Sequence, residues 1–213
     1  MEFNHPLFDG VSRFLRRTLH LSVAVGKPVT KLNLGSGSSR LSGYCNIDLS
    51  SHADLRLDLE KESLPFPDGS IETVVCISTI DYFTRDRAQE IVSDVFRVLK
   101  HGGVARFAVQ DLLKIARNYV ERDRNFFFQK LPNGRERFEG KTMGDKFNAW
   151  FYGYRTSHGK HCKYFFDYET LALLFHSAGF SVIEERGFHE SRISNIKDID
   201  NRPEQMFFLE AVK

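Results

Sequence analysis

The feature that most limits how this chain can fold is an alternation running through most of its length, in which short apolar strands, polar or glycine turns and amphipathic helices succeed one another. Val29 to Leu34 reads as a first strand and stops abruptly at the run GSGSS, Gly35 to Ser39. Tyr44 to Asp48 and Leu55 to Leu59 follow, each carrying an acid near its end, Asp48 and Asp58. After the turn-forming LPFPDGS comes IETVVCI, Ile71 to Ile77, a β-branched run suited to a strand buried on both faces. Ala88, Ile91, Val92, Val95, Phe96 and Leu99 then recur at helical spacing, and Lys100, His101, Gly102 and Gly103 read as a basic last turn with a glycine cap. Val104 to Val109 is the next strand. Tyr168 to Ala178 is a helix capped by Gly179, and Phe180 to Glu185 and Gln205 to Val212 complete a set of seven strands. This rhythm predicts an α/β fold, a Rossmann-like, mostly parallel seven-stranded sheet with helices on both faces. The last two strands are joined by an excursion rather than a helix, so the final strand is expected to run antiparallel.

With 213 residues, 41% of them hydrophobic, the chain suffices for one domain with a sizeable core. Residues 1–28 form an N-terminal segment in which Leu7, Val11, Phe14, Leu15 and Leu19 share one helical face against Arg13, Arg16 and Arg17. That face is ordinary enough for packing on the chain's own domain rather than on a membrane or partner. Residues 113–160 interrupt the alternation and are too long for a simple connection. A formal charge of +2 removes the electrostatic argument for binding nucleic acid. Cys45, Cys76 and Cys162 are too few and scattered for a disulfide scaffold, and no apolar run approaches the roughly 20 residues of a membrane span, so the expected setting is cytoplasmic with no transmembrane segment. The oligomeric state leaves no trace in the sequence.

Small residues at a strand's carboxyl end let the backbone approach a ligand closely. The dinucleotide fingerprint is not met, because Gly35 and Gly37 are followed by Arg40 where a third glycine is required, and Asp48 comes only 13 positions after Gly35. A nicotinamide cofactor is disfavoured. An acid after the second strand can still hold two ribose hydroxyls and an acid after the third can accept from an exocyclic amine, so an adenosyl ligand without a pyrophosphate suits both.

Three stretches, KLNLGSGSSRLSGYCNIDLS, LPFPDGSIETVVCISTIDYF and AQEIVSDVFRVLKHGGVARFAVQDL, occur in this order, and the chain closes on NRPEQMFFLEAVK. Together they resemble the class I S-adenosylmethionine-dependent methyltransferases, above all a bacterial subgroup of the methyltransferase type 11 kind found among glycan-biosynthesis enzymes. The resemblance covers about Lys31 to Leu112 and Lys160 to Val212. It implies a methyl transfer from S-adenosylmethionine to a small-molecule, sugar-nucleotide or glycan acceptor. It places Leu34, Gly35, Ser36 and Gly37 around the cofactor's methionine, Asp48 and Leu49 at the ribose, Asp58 and Leu59 beside the adenine, and Ser78 near the sulfonium. A noncatalytic adenosyl-binding module of the same fold is the alternative.

The chain departs from the subgroup's pattern after the fourth strand, where Asp81 and Tyr82 stand in place of an acid and a histidine, and after the fifth, where Gln110 and Asp111 stand in place of a proline and an acid. A general base is needed only for a hydroxyl or protonated amine acceptor, and Asp111, Asp81 and Tyr82 are the candidates, with Asp111 the first choice because it opens the inserted segment. Ahead of the last helix, His158, Lys160, His161 and Lys163 form a basic stretch able to meet an anionic acceptor or simply to face solvent. Trp150, Phe151, Tyr152 and Tyr154 suit either sugar stacking or core packing. His158, His161 and Cys162 lack a fourth metal ligand, so no metal is expected.

Overall fold

A computed structural model of the chain describes residues 28–131, 133–153 and 159–213. The N-terminal helix, Tyr154 and His158 of the sequence reading lie outside them. The strands are β1 (Lys31–Leu34), β2 (Cys45–Asp48), β3 (Leu55–Arg56), β4 (Ile71–Ile77), β5 (Leu99–Gln110), β6 (Val182–Arg186) and β7 (Met206–Val212). The helices are α1 (Arg85–Val98), α2 (Leu112–Val120), α3 (Arg124–Phe127), α4 (Met143–Tyr152) and α5 (Tyr168–Ala178). All seven strands join in one sheet of order β3-β2-β1-β4-β5-β7-β6. The pairs among β1 to β5 are parallel, and β7 runs antiparallel to both β5 and β6, as expected for the last strand.

The strand order explains where a ligand must go. From β1 the chain builds outward through β2 and β3, then returns to add β4 on the opposite side, so the crossovers diverge between β1 and β4 and leave a crevice at their carboxyl ends. That crevice opens at Gly35 and Ser78, the residues that follow the two strands.

One face of the sheet is covered by α1 and α5, whose buried Ile91, Val92, Val95, Leu171, Leu174 and Phe175 pack with Leu32, Val74, Phe107 and Leu209 in the main core. On the other face Ile193, Ile196 and Ile199 pack against Val75 and Tyr44 around a single 3-10 turn, Ile196–Asp198. Helix α5 begins on the Asp167 side chain, which accepts from the Thr170 amide, and ends at Gly179, whose φ of 105° is left-handed and favours glycine.

Two elements differ from the sequence reading. Helix α1 has no glycine cap: Leu99 is already extended, with φ −65° and ψ 138°, and Lys100 to Gly103 open β5. Leu99 pairs with Ile71 across the sheet and is wholly buried, so ladder bonds and burial outweigh the local cap signal. The third strand stops at Arg56, and Asp58 lies in the loop beyond it. That loop is stapled to α1 by Arg87, whose Nε donates to the Leu59 carbonyl (2.7 Å) and whose Nη2 donates to that of Glu62 (2.8 Å).

The segment 113–160 builds a small aromatic core of its own. Ile115, Phe127, Trp150 and Phe165 are buried there, and Trp150 stacks on Phe126 with centroids 5.2 Å apart. Trp150 is 2% exposed, so it is a core residue, while Tyr152 is 69% exposed. Lys146 is buried in the same cluster, with Nζ bonded to the Glu136 carboxylate and the Phe138 carbonyl. No helix among the described residues is long and apolar enough to cross a membrane.

Candidate functional site

A cavity of about 480 Å³ fills the crevice, within the usual size range of small-molecule sites. Gly35, Gly37, Asp48, Leu49, Asp58, Leu59 and Ser78 all line it. Leu34 is wholly buried in β1 and Ser36 lies beneath the loop surface, so neither lines the cavity, although the Ser36 hydroxyl is buried with no partner among the described residues. Ser38, Ser50, His52, Leu57, Thr79, Tyr82, Phe83 and Lys160 complete the wall.

The glycine turn is shaped from both sides. Gly35 holds φ at 64°, and a Cβ there would fall 2.2 Å from the Thr79 side chain, so only glycine fits. Beneath the turn, the buried Asn33 amide donates to Asn46 Oδ1 (2.9 Å) and to the Ser39 carbonyl (3.0 Å), while Asp54 accepts from Asn46 and pairs with Arg40 at 2.5 Å. Burial works to raise the Asp54 pKa, but the Asn46 and Arg40 bonds hold it below its ordinary value. Asp48 joins the two loops: one oxygen accepts from the Gly37 amide (3.0 Å) and the other from the Ser50 amide (2.8 Å). Each carboxylate oxygen keeps a further lone pair, enough for a pair of vicinal hydroxyls.

At the far end, Asp58 accepts from the Glu60 amide (3.1 Å) and from Lys160 Nζ (3.0 Å). Burial pushes its pKa up, yet the Lys160 bond and the Glu60 amide carry it below the ordinary value, so it stays ionised. Lys163 pairs with Glu60 at 2.8 Å. The basic stretch therefore does not await an anionic acceptor with these two lysines; it ties residues 160–163 to the β3 loop, and Lys160 itself becomes part of the wall. The amides of Lys163 and Tyr164 extend this tie by donating to the Asp81 carbonyl.

The two acids proposed as bases sit differently. Asp111 caps α2, its Oδ1 accepting from the Lys114 amide at 3.0 Å. Asp81, in the 3-10 turn Ile80–Tyr82, is 1% exposed, and its Oδ1 has no hydrogen-bond partner among the described residues. Burial pushes its pKa up to about 8 against the opposing pull of the Gln110 amide and Arg202. Neither acid lines the main cavity. Cys162, beside Asp81 and hydrogen-bonded to Tyr82, has its thiol pushed up to about 12 by burial and by Asp81.

An adenosyl ligand fits this wall: a glycine turn that a Cβ would fill, a carboxylate with free lone pairs 13 residues further along the chain, apolar Leu57, Leu59 and Phe83, and an ionised acid beyond them. Comparison with known proteins agrees. Residues 44–107 match the model of a methyltransferase domain family, a segment running from the entry of β2 to the middle of β5. A methyltransferase from Archaeoglobus fulgidus, described as dependent on S-adenosylmethionine, shares the fold with a TM-score of 0.51 at 14% identity, over 97% of this chain and 98% of that one. A possible histamine N-methyltransferase from Thermotoga maritima is 18% identical, with a TM-score of 0.48 over 92% of this chain and 87% of that one. No curated protein matches the sequence. Residues 44–107 thus carry the sequence signature of a methyltransferase domain, and the whole sheet shares the fold of the Archaeoglobus fulgidus protein.

Ser38, Ser50, Leu57, Thr79 and Phe83 each stand one or two residues from a position read from sequence and His52 stands three from Leu49, but their residue types carried no signal that set them apart from ordinary loop or core residues. Lys160 carried a signal, its charge, but its partner Asp58 lies 102 residues away.

Proposed function

We propose that the chain is an S-adenosylmethionine-dependent methyltransferase, and that it methylates a small-molecule or glycan-type acceptor entering over the carboxyl ends of β4 and β5, of the kind handled by the glycan-biosynthesis subgroup. The observation that carries this reading is that one cavity is lined by Gly35 and Gly37, by Asp48 and Leu49, by Asp58 and Leu59, and by Ser78 at the carboxyl end of β4. The glycine turn and Ser36 would hold the methionine, Asp48 and Leu49 the ribose, and Asp58 and Leu59 the adenine. The cofactor supplies an electrophilic methyl on a sulfonium, and the chain's part is to position an acceptor in line with it. Calorimetry with S-adenosylhomocysteine tests the ribose assignment. Asp48→Ala, which removes charge-assisted bonds worth about 2 to 3 kcal/mol, is expected to weaken binding roughly 30- to 150-fold. Unchanged affinity would move the ribose elsewhere.

Where the acceptor is a hydroxyl, Asp111 is the proton acceptor. Its Oδ2 makes no hydrogen bond in the described structure, whereas Asp81 is held neutral below about pH 8. Asp111→Asn retains a good helix cap while removing the base. It is expected to lower turnover at saturating cofactor by at least about tenfold with S-adenosylhomocysteine affinity within about a factor of two. A wild-type rate in that variant would transfer the role to another group or show that the acceptor needs none.

A further inference from the structure

Beyond the cofactor wall, the strand ends of β4, β5 and β7 meet in a polar corner centred on Ser78. Its hydroxyl accepts two hydrogen bonds, from Arg202 Nη2 at 2.9 Å and from Gln110 Nε2 at 3.4 Å. A hydroxyl has two lone pairs and one hydrogen, so with both lone pairs used the remaining valence of Ser78 is its O–H, which has no acceptor among the described residues. Ser78 lines the cavity, so that donor belongs to the cavity's polar side.

Arg202 adds positive charge to the same corner. Its Nε donates to the Asn201 side chain at 2.6 Å, and both of its recorded acceptors, Asn201 and Ser78, are neutral. Among the described residues no carboxylate lies within 4 Å of its guanidinium, although seven other arginines (Arg40, Arg87, Arg97, Arg106, Arg137, Arg186 and Arg192) each have one. Among the described residues Nη1 has no hydrogen-bond acceptor. Among the described residues, Gln110, 3% exposed, has no partner for its Oε1, and Gln205, wholly buried three residues beyond Arg202, has none for either amide atom. Ser78 and Arg202 also hold left-handed backbones, φ 52° and 55°, a costly conformation for residues with side chains. Two strained residues joined side chain to side chain, Ser78 on the cavity wall and Arg202 behind it, with charge and donors in excess, describe a group held ready for an external oxyanion.

We infer that Arg202 and Ser78 form the acceptor-specificity subsite, binding an oxyanion, carboxylate or phosphate, carried by the molecule to be methylated, with Gln110 orienting Ser78. This deepens the function proposed above and rests on the cavity being shared by cofactor and acceptor. It also selects among acceptor classes: neutral sugars and simple amines are poor ligands, and acidic metabolites or phosphorylated sugars are good ones.

The test titrates the protein, with and without saturating S-adenosylhomocysteine, with 4-hydroxybenzoate, phenyl phosphate and the neutral 4-hydroxybenzamide, followed by calorimetry and by the arginine Nε–H signals of nitrogen-15-labelled protein. One or both anions are expected to bind at least about tenfold more tightly than the amide and to shift one arginine signal, and the tighter of the two identifies the oxyanion. Arg202→Gln is expected to abolish both the preference and the shift, and Arg202→Lys, which keeps the charge but loses the fork, to retain only a small part of the preference. Equal binding of anions and amide, or a preference that survives in Arg202→Gln, overturns the subsite. If Arg202→Gln does not fold, the labelled wild-type signals and Arg202→Lys decide the matter. Failure of S-adenosylhomocysteine to bind would instead overturn the ribose and adenine assignments, and the anion comparison made without it would still stand by itself.

Discussion

Gly35→Ala is expected to destroy adenosyl-ligand binding and to destabilise the fold by about 2 to 5 kcal/mol. Two costs add at this position. The backbone is left-handed, which costs a residue with a Cβ roughly 1 to 2 kcal/mol, and the new Cβ meets Thr79, whose forced displacement costs about 1 to 3 kcal/mol more. Thr79 cannot withdraw freely, because its hydroxyl bonds to the Gly35 and Ile77 carbonyls, at 3.2 and 3.1 Å. The variant must therefore push β1 and β4 apart at the cavity mouth. Affinity for S-adenosylhomocysteine should fall by more than about 100-fold, since the wall is built from the positions those strand ends define. The double variant Gly35→Ala, Thr79→Gly should regain part of the stability, because it removes the contact but not the backbone strain. Thermal melts and calorimetry on the three proteins check this. If Gly35→Ala binds normally, the turn is not the cradle; if Thr79→Gly restores nothing, the clash is not the cause.

Much of this architecture is legible in the residues themselves, because its signals are local. IETVVCI, the spacing of Ala88 to Leu99 and the Gly179 cap each specify their own element, and the structure has β4, α1 and α5 where those signals point. The glycine turn and Asp48 are legible for the same reason: a strand end with no side chains, followed by an acid one strand later, is a pattern within a short window. What failed to show was set by distant partners. The Lys100 to Gly103 run looks like a helix end, and the sheet claims it because Gly102 and Gly103 bond to Lys213. Lys160 looks like a free surface cation until Asp58 is beside it. Arg202 had no sequence signal, since its proposed role lies in Ser78, 124 residues away, and in having no carboxylate within 4 Å among the described residues. The order of the two acids was likewise invisible, because Asp81 and Asp111 are alike in sequence and differ only in burial and in what they cap.

That difference predicts a stability curve. In the unfolded chain Asp81 ionises near pH 4, but in the folded protein burial delays ionisation to about pH 8. The sign follows from proton binding: between those values the folded state holds a proton that the unfolded state has released, so raising the pH favours unfolding. The resulting loss begins near pH 4, accumulates through neutrality and levels off above about pH 8. Asp81→Asn has the shape of the protonated acid and no charge to release. Its melting temperature should match wild type near pH 4 and exceed it by a growing margin up to pH 8, reaching about 2 to 5 kcal/mol in stability. Asn can still accept from the Gln110 amide, the one bond that draws the acid's pKa downward apart from the pull of Arg202. Urea titrations of both proteins at steps from pH 4 to 9 measure the difference directly. Parallel curves would mean that Asp81 is ionised in the folded state. Arg202 and the Gln110 amide would then outweigh its burial, and Asp81 would join Asp111 as a carboxylate able to take a proton at neutral pH.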